Sequence, residues 1–412
     1  MMVKEGYKNI QLGPRDFKIP ECWDKAMISK VCENLDRMRE PVKSSNRERG
    51  DIPYYGATGC IDYVNDYIFN EKLVLIGEDG ADWSKFANTA YIIDGKSWVN
   101  NHAHVLRCKD IDEKYLSEII NYLDLNYIIV GTNRGKLNKG ALMDLDVLYP
   151  PQKEQKKIAA ILSSVDENIE KTERTIEKTK ELKKGLMQQL LTKGIGHDEF
   201  KEVKIGPKKI EIPKTWNVNK FQDVSNVNQG LQIAISERKK KPGKNRLKYI
   251  TVQHLNNPKD NRYTYYVENP RDSVVCDKND ILMTRTGNTG EVITNILGVF
   301  HNNFFKVDFD RELLNKDFLF YYLNSRNIQH VIKIFAGTTT IPDLNHGDFY
   351  SIPVLIPPLE EQKKIANILS TVEEKVQKEE EYKAKLERLK KGLMQKLLTG
   401  EIRVNVDDIK EA

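Results

Sequence analysis

Cysteine is scarce and scattered in this chain. The five thiols, Cys22, Cys32, Cys60, Cys108 and Cys276, are odd in number and never form a CxxC pair. That excludes a disulfide framework and leaves reduced thiols in a cytoplasmic protein as the expectation. No apolar run approaches the roughly 18 residues of a membrane span, and the opening MMVKEGYKNIQLGP has no apolar signal core. Charge is not one-sided either. Lys plus Arg total 65 against 60 for Asp plus Glu, a net +5. So mild a basic balance permits nucleic-acid binding without demanding it.

Catalytic signatures are missing as well. Lys96-Ser97 follows Gly95, but a phosphate-binding loop needs glycine where Ala90 stands. No Gly-rich cofactor loop with an Asn-Pro-Pro tetrad is present, so methyl transfer is not expected on this chain. His102 and His104 flank Ala103 near Cys108 but lack a second paired cluster, so they read as packing or polar satisfaction. No cofactor and no metal is expected.

What is present is a duplication. PPQKEQKKIAAILSSVDE (Pro150 to Glu167) returns as PPLEEQKKIANILSTVEE (Pro357 to Glu374), and KKGLMQQLLT (Lys183 to Thr192) as KKGLMQKLLT (Lys390 to Thr399). Equal spacing of the two pairs means an internal repeat. The order is variable, helix, variable, helix. The expected segments are 1–150, 151–197, 198–357 and 358–412. In the variable regions, runs such as KLVLIG (Lys72 to Gly77), TAYIID (Thr89 to Asp94) and NFFKVDF (Asn303 to Phe309) are punctuated by Gly, Asn and Asp. They predict mixed α+β domains. Ile19-Pro20 with Trp23 mirrors Ile212-Pro213 with Trp216, while Leu137-Asn138 mirrors Leu344-Asn345. The second region carries additional length, expected within Gln232 to Asn261.

Each Pro-Pro pair marks a helix start. The first stripe reads Ile158, Leu162, Val165, Ile169, Thr172, Ile176, Leu182, Leu186, Leu190. The second reads Ile365, Leu369, Val372, Val376, Leu386, Leu389, Leu393, Leu397. Steps of three and four predict a coiled-coil seam. Each helix is expected to bury its stripe on its antiparallel repeat, giving a pseudo-twofold, near-circular chain. Gly185 and Gly392 interrupt these helices. They read either as sites of close helix approach or as a hinge or docking notch.

The doubled Pro-Pro-x-x-E-Q-K-K-I-A-x-I-L-S start and L-K-K-G-L-M-Q-x-L-L-T end resemble the conserved helices of the specificity subunit of type I restriction–modification systems. The resemblance spans the whole chain. It implies two target-recognition domains, each reading half of a bipartite, asymmetric double-stranded DNA site. It also implies two modification (methyltransferase) subunits docked on the helices, restriction subunits outside them, and no catalysis on this chain. The competing reading is a stand-alone nuclease with a duplicated DNA-reading region.

DNA contacts are expected from cations on phosphates and from amides on base edges. In the second domain the candidates are Arg238, Lys239, Lys240, Lys241, Lys244 and Arg246, with Gln229 and Gln232 before them. Arg285, Asn288 and the turn Thr338, Thr339, Thr340 follow. In the first domain they are Lys43, Asn46, Arg47 and Tyr54, then the turn Thr132, Asn133, Arg134 and Lys136. The bland alternative for each is solvated loop or turn chemistry.

Overall fold

The computed structural model describes residues 6–131, 135–257, 260–337 and 342–407. The chain divides into two compact units. One is Met1–Arg174 with Glu380–Ala412, the other Thr175–Glu379. The division cuts both long helices near their middles. Each unit is therefore a globular domain together with half of each helix, and not one of the segments that the sequence suggests.

The first unit opens with a hairpin, Tyr7–Leu12 on Arg15–Pro20. Asp24–Met27 then pairs antiparallel with Asp146–Tyr149, tying the start of the domain to its end. Between them lie two four-stranded sheets. One runs Gly59–Val64, Ile52–Gly56, Lys96–Val99, Phe69–Asn70. The other runs Cys32–Asn34, Ala103–Cys108, Leu73–Gly77, Ala90–Ile93. Leu73 to Ile76 are fully buried, as expected of a strand covered on both faces.

The second unit repeats this plan. Its hairpin is Phe200–Ile205 on Lys208–Pro213, and Asn217–Lys220 pairs with Pro353–Ile356. The sheet orders recur as Tyr266–Glu268, Arg246–Ile250, Gly298–Phe300, Val275–Cys276, and as Ser225–Gln229, Phe304–Phe309, Ile281–Thr284, Val292–Thr294. Register is kept too. Tyr54 faces Trp98 in a parallel pair, as Tyr249 faces Val299.

The additional length begins inside the expected stretch, at its far end, and runs a few residues past it, rather than lying in the lysine-rich part. The basic loop, residues 230–245, matches residues 35–51 and is no longer than they are. The insertion is a short helix, Val252–Asn256, and a turn, Asn261–Tyr263, between two strands that a tight turn joins in the first domain. The lysines marked the loop by composition, but they do not mark the insertion.

The long helices span Gln152–Lys193 and Leu359–Leu397. Their shared E-Q start has a packing reason. Gln155 Nε2 donates to the Pro150 carbonyl at 2.8 Å, and its Oε1 accepts from the Asp112 amide at 2.9 Å. Gln362 does the same with Pro357 and the Asn315 amide, each at 2.8 Å. Both glutamines are fully buried, which demands such partners. The preceding glutamates accept from buried indoles, Glu154 from Trp23 at 3.2 Å and Glu361 from Trp216 at 3.1 Å. A further partner completes each: Arg403 on Glu154, and His197 Nε2 at 2.8 Å from Glu361.

Ile158, Leu162, Ile365 and Leu369 are fully buried, and each belongs to the core of its domain. Val376 is buried as well, while Val165, Ile169, Leu186, Val372 and Leu393 are half-buried. Within each unit the two helices run antiparallel. In the first, Glu173 pairs with Lys383 and Asp166 with Lys390, so a step up one helix is a step down the other. In the second, Lys183 pairs with Glu373 at 2.8 Å in the same register.

Two readings of the stripe are corrected. Leu182 and Leu389 are 55% and 51% exposed, because Lys183 and Lys390 take the inward positions to meet carboxylates. Gly185 and Gly392 do not serve close helix approach within the chain. A Cβ built on either meets nothing within 4 Å.

Candidate nucleic-acid interface

In each domain one strand carries a buried tyrosine that anchors the preceding loop. Tyr54 is 1% exposed, and its hydroxyl accepts from the Val42 amide at 3.0 Å. The Arg47 guanidinium lies 4.3 Å from the Tyr54 ring centroid and donates to Val42 O at 3.1 Å and to Asp62 at 2.7 Å. In the second domain Tyr249 donates to Leu231 O at 2.6 Å, with Arg238 at 5.2 Å over its ring. The arrangement pins residues 35–51 and 230–245 to equivalent strands. It corrects the sequence reading of Tyr54, which is interior and cannot reach a ligand. It also turns Arg47 and Arg238 inward, as clamps. The Asp62 carboxyl is held below its usual range by the Arg47 hydrogen bond.

Other expected contacts divide by what already holds them. Arg246 gives Nε and one terminal nitrogen to Glu268, at 3.0 and 2.9 Å. Lys239 lies 3.9 Å from the same carboxylate. Lys240 sits 3.8 Å over the Tyr265 ring and donates to Arg262 O. Gln229 and Gln232 are exposed and brace Asn302, at 3.3 and 2.8 Å. Lys43, Asn46, Lys241, Lys244 and Asn288 are exposed on loops, and Lys43, Lys241 and Lys244 are in no ion pair among the described residues. Thr132, Asn133, Arg134, Thr338, Thr339 and Thr340 lie outside the described residues.

The described residues after those are bridged alike in the two domains. Asp79 bridges Lys136 in the first domain, as Thr286 bridges Asp343 in the second. Lys136 Nζ meets Glu78 at 2.8 Å, and Arg285 meets Asp343 at 2.9 Å. Glu78 belongs to a larger cluster. His104 Nδ1 is 2.7 Å from Asp36, and its Nε2 is 2.8 Å from Leu137 O. Arg39 reaches Glu78 at 2.5 Å. Asp36, Glu78 and His104 are close enough together to hold a cation, but Arg39, Lys136 and His104 already meet the two carboxylates. Burial alone would raise the carboxyls of Asp36 and Glu78. Hydrogen bonds from His104 to the first, and from Lys136 and Arg39 to the second, outweigh it and hold both below their usual range.

Sequence reasoning missed the exposed apolar residues beside these loops. Ile61 and Tyr63 are 51% and 55% exposed on the strand opposite Tyr54, and Ile235 is 71% exposed at the tip of the second loop. Alternation along Gly59–Val64 is the one signal that could have found the first pair. Cys32 and Cys108 face each other in register with sulfurs 4.0 Å apart, and both are free thiols.

Residues 20–181 and 213–388 match the family described as type I restriction modification DNA specificity domain. The type I restriction enzyme MjaVIII specificity subunit of Methanocaldococcus jannaschii is 27% identical over 419 residues, 94% of this chain and 95% of the relative. A putative MjaX specificity subunit from the same organism is 31% identical over 276 residues, covering 66% of this chain and 63% of its own. A solved type I restriction–modification S subunit from M. genitalium shares the fold, with TM-score 0.62 at 14% identity, over 94% of this chain and 98% of that one. Two matched stretches, one in each repeat, cover most of the sequence, and the chain belongs to the type I restriction–modification DNA specificity family.

Proposed function

We propose that this chain reads DNA for a type I restriction–modification complex. Each domain takes one half of a bipartite, asymmetric duplex site. The long helices set the unread gap and dock two modification subunits, with restriction subunits joining outside them, in the cytoplasm. The chain itself performs no chemistry. Among the described residues no helix is long and apolar enough to cross a membrane.

One observation carries this reading. A single scaffold is built twice with the same strand orders and registers, while the loops that it presents differ in charge and length. Conserved framing with divergent loops is how one fold gains two specificities. Phosphate contacts from Lys43, Lys241 and Lys244 would fix position, and the exposed amides of Asn46, Gln229 and Gln232 would meet base edges.

The test is to express the chain with its modification subunits and map the methylated sequence. A split, asymmetric motif with a fixed gap is expected. A continuous motif, or DNA cleavage or methylation by the purified chain alone with Mg²⁺ and S-adenosylmethionine, would overturn the proposal.

A further inference from the structure

The second unit holds a cavity of about 510 Å³ between residues 180–192 of the first long helix, the hairpin strand Lys208–Pro213 and the start of the helix Arg326–Ala336. Lys183, Lys184, Lys208 and Arg326 line it, and no acidic side chain does. Lys183 is committed to Glu373, but Lys184, Lys208 and Arg326 are in no ion pair among the described residues. Met187, Leu191 and Ile328 supply an apolar floor.

The helix Arg326–Ala336 begins in this cavity with no side chain capping it. Its N-cap, Ser325, is only 8% exposed, lines the cavity, and its hydroxyl makes no hydrogen bond among the described residues. Uncapped amides at a helix start, the unpartnered hydroxyl of a largely buried serine and unpaired cations together make an anion site.

In the first domain the equivalent hairpin cation is paired. There the helix Glu113–Tyr122 is followed by Leu123 and Asp124, while in the second domain Lys316–Leu323 is followed by Asn324 and Ser325. Asp124 accepts from the Asn126 amide at 3.2 Å and from Arg15 at 2.9 Å. Arg15 opens the second hairpin strand, as Lys208 does in the repeat. The first domain thus supplies its own carboxylate. In the second, Lys208 is in no ion pair among the described residues.

We propose that this cavity binds an organic phosphate of nucleotide size. The phosphoryl group sits at Ser325 and the start of the helix Arg326–Ala336, held by Lys208 and Arg326, with the apolar part on Met187, Leu191 and Ile328. The volume falls within the usual range of small-ligand sites. The site is separate from the DNA-reading loops, so its test stands apart from theirs.

The experiment is calorimetric titration of the full chain with ATP and, separately, with inorganic phosphate. Saturable ATP binding is expected, at least about tenfold tighter than phosphate. Lys208→Ala and Arg326→Ala should each weaken it severalfold. Ser325→Asp supplies a capping carboxylate where the phosphoryl group would sit, and should abolish binding with the thermal midpoint unchanged or raised. Absence of binding at millimolar ATP would overturn the proposal. So would affinity that survives all three substitutions, or equal affinity for ATP and phosphate. Displacement of ATP by an arbitrary DNA duplex would assign the cavity to the DNA backbone and sink the small-ligand reading.

Discussion

Glu78 and Lys136 meet at 2.8 Å beside an isolated strand bridge, and the repeat sets Arg285 against Asp343 at the same place with the charges exchanged. The backbone beneath is unchanged. The Leu137 amide donates to Glu78 O at 2.7 Å, and the Leu344 amide to Arg285 O at 2.8 Å. The duplication kept the geometry of this bridge and inverted its polarity. Arg285→Glu alone sets two carboxylates together and should destabilise the chain by about 2 kcal/mol. Adding Asp343→Lys restores the first domain's polarity and should recover at least half of that loss. Urea denaturation of the two single variants and the double decides, and strictly additive losses would rule out the pairing.

The Arg47–Tyr54 and Arg238–Tyr249 clamps separate loop shape from phosphate contact. Tyr54→Phe removes the hydroxyl that accepts from Val42 and should cost about 1 kcal/mol of stability. DNA affinity should fall with it, but the dependence on salt should keep its slope. Lys241→Ala and Lys244→Ala should instead leave stability unchanged and lower the slope of log K against log salt by about 1 each. Fluorescence anisotropy across a salt series reads both, and a changed slope in Tyr54→Phe would contradict the clamp.

The sequence was legible where the repeat forced agreement. Pro150-Pro151 and Pro357-Pro358 marked helices that begin at Gln152 and Leu359. Ile158 and Leu162 were readable as buried, since helical spacing fixes one face. Leu182 and Leu389 misled for a physical reason: the inward position next to each goes to a lysine whose carboxylate partner is distant in sequence. Tyr54 misled because an aromatic in a polar stretch reads as a loop residue, whereas here it is the strand that anchors the loop. Long-range ion pairs and loop anchors leave no periodicity to read.

Asp166 takes hydrogen bonds from Lys114 and Lys390, each at 2.7 Å, while the same lysines reach the buried Glu118 at 2.7 and 3.1 Å. Burial disfavours the charge on Asp166, but the two lysines outweigh it and bring the carboxyl below its ordinary 3.8. Its contribution to stability is therefore present above pH 3.8 and lost as pH falls through the lowered value. Lys114 is also opposed by burial, yet Glu118 and Asp166 raise it above 10.5. Its share is present below pH 10.5 and lost as pH climbs through the raised value. Asp166→Asn should flatten the acid limb of a stability profile. Lys390→Met, leaving two carboxylates on one lysine, should cost about 3 kcal/mol at neutral pH. An acid limb unchanged by Asp166→Asn would show that the cluster carries none of it.

Gly185 and Gly392 sit in open space three residues beyond exposed Leu182 and Leu389, so the same small-and-apolar notch occurs once on each long helix. Gly185→Ala and Gly392→Ala should each stabilise the isolated chain by about 1 kcal/mol, since helix propensity improves and nothing is struck. If two modification subunits dock on these notches, each substitution should weaken assembly at one of the two positions, and the double variant at both. Denaturation and native mass spectrometry give the two readouts. Stabilised variants that assemble normally would exclude the notches as docking points.

The paired register of the helices also determines how the unread gap can be changed. Glu173 with Lys383, Asp166 with Lys390 and Lys183 with Glu373 follow one alignment, so seven residues added to one helix would pull some of these pairs apart. Matched heptads, one between Arg174 and Thr175 and the other opposite between Glu381 and Tyr382, keep both stripes and all three of these pairs in place. Seven residues lengthen a helix by about 10 Å, close to three base pairs of duplex. The doubly extended chain should direct methylation to the same two half-sites, with the gap longer by about three base pairs. A heptad in only one helix should instead yield a poorly folded chain that fails to assemble. Methylation mapping of the matched variant is decisive: an unaltered gap would mean that the helices do not measure the distance between the half-sites, whatever else they hold.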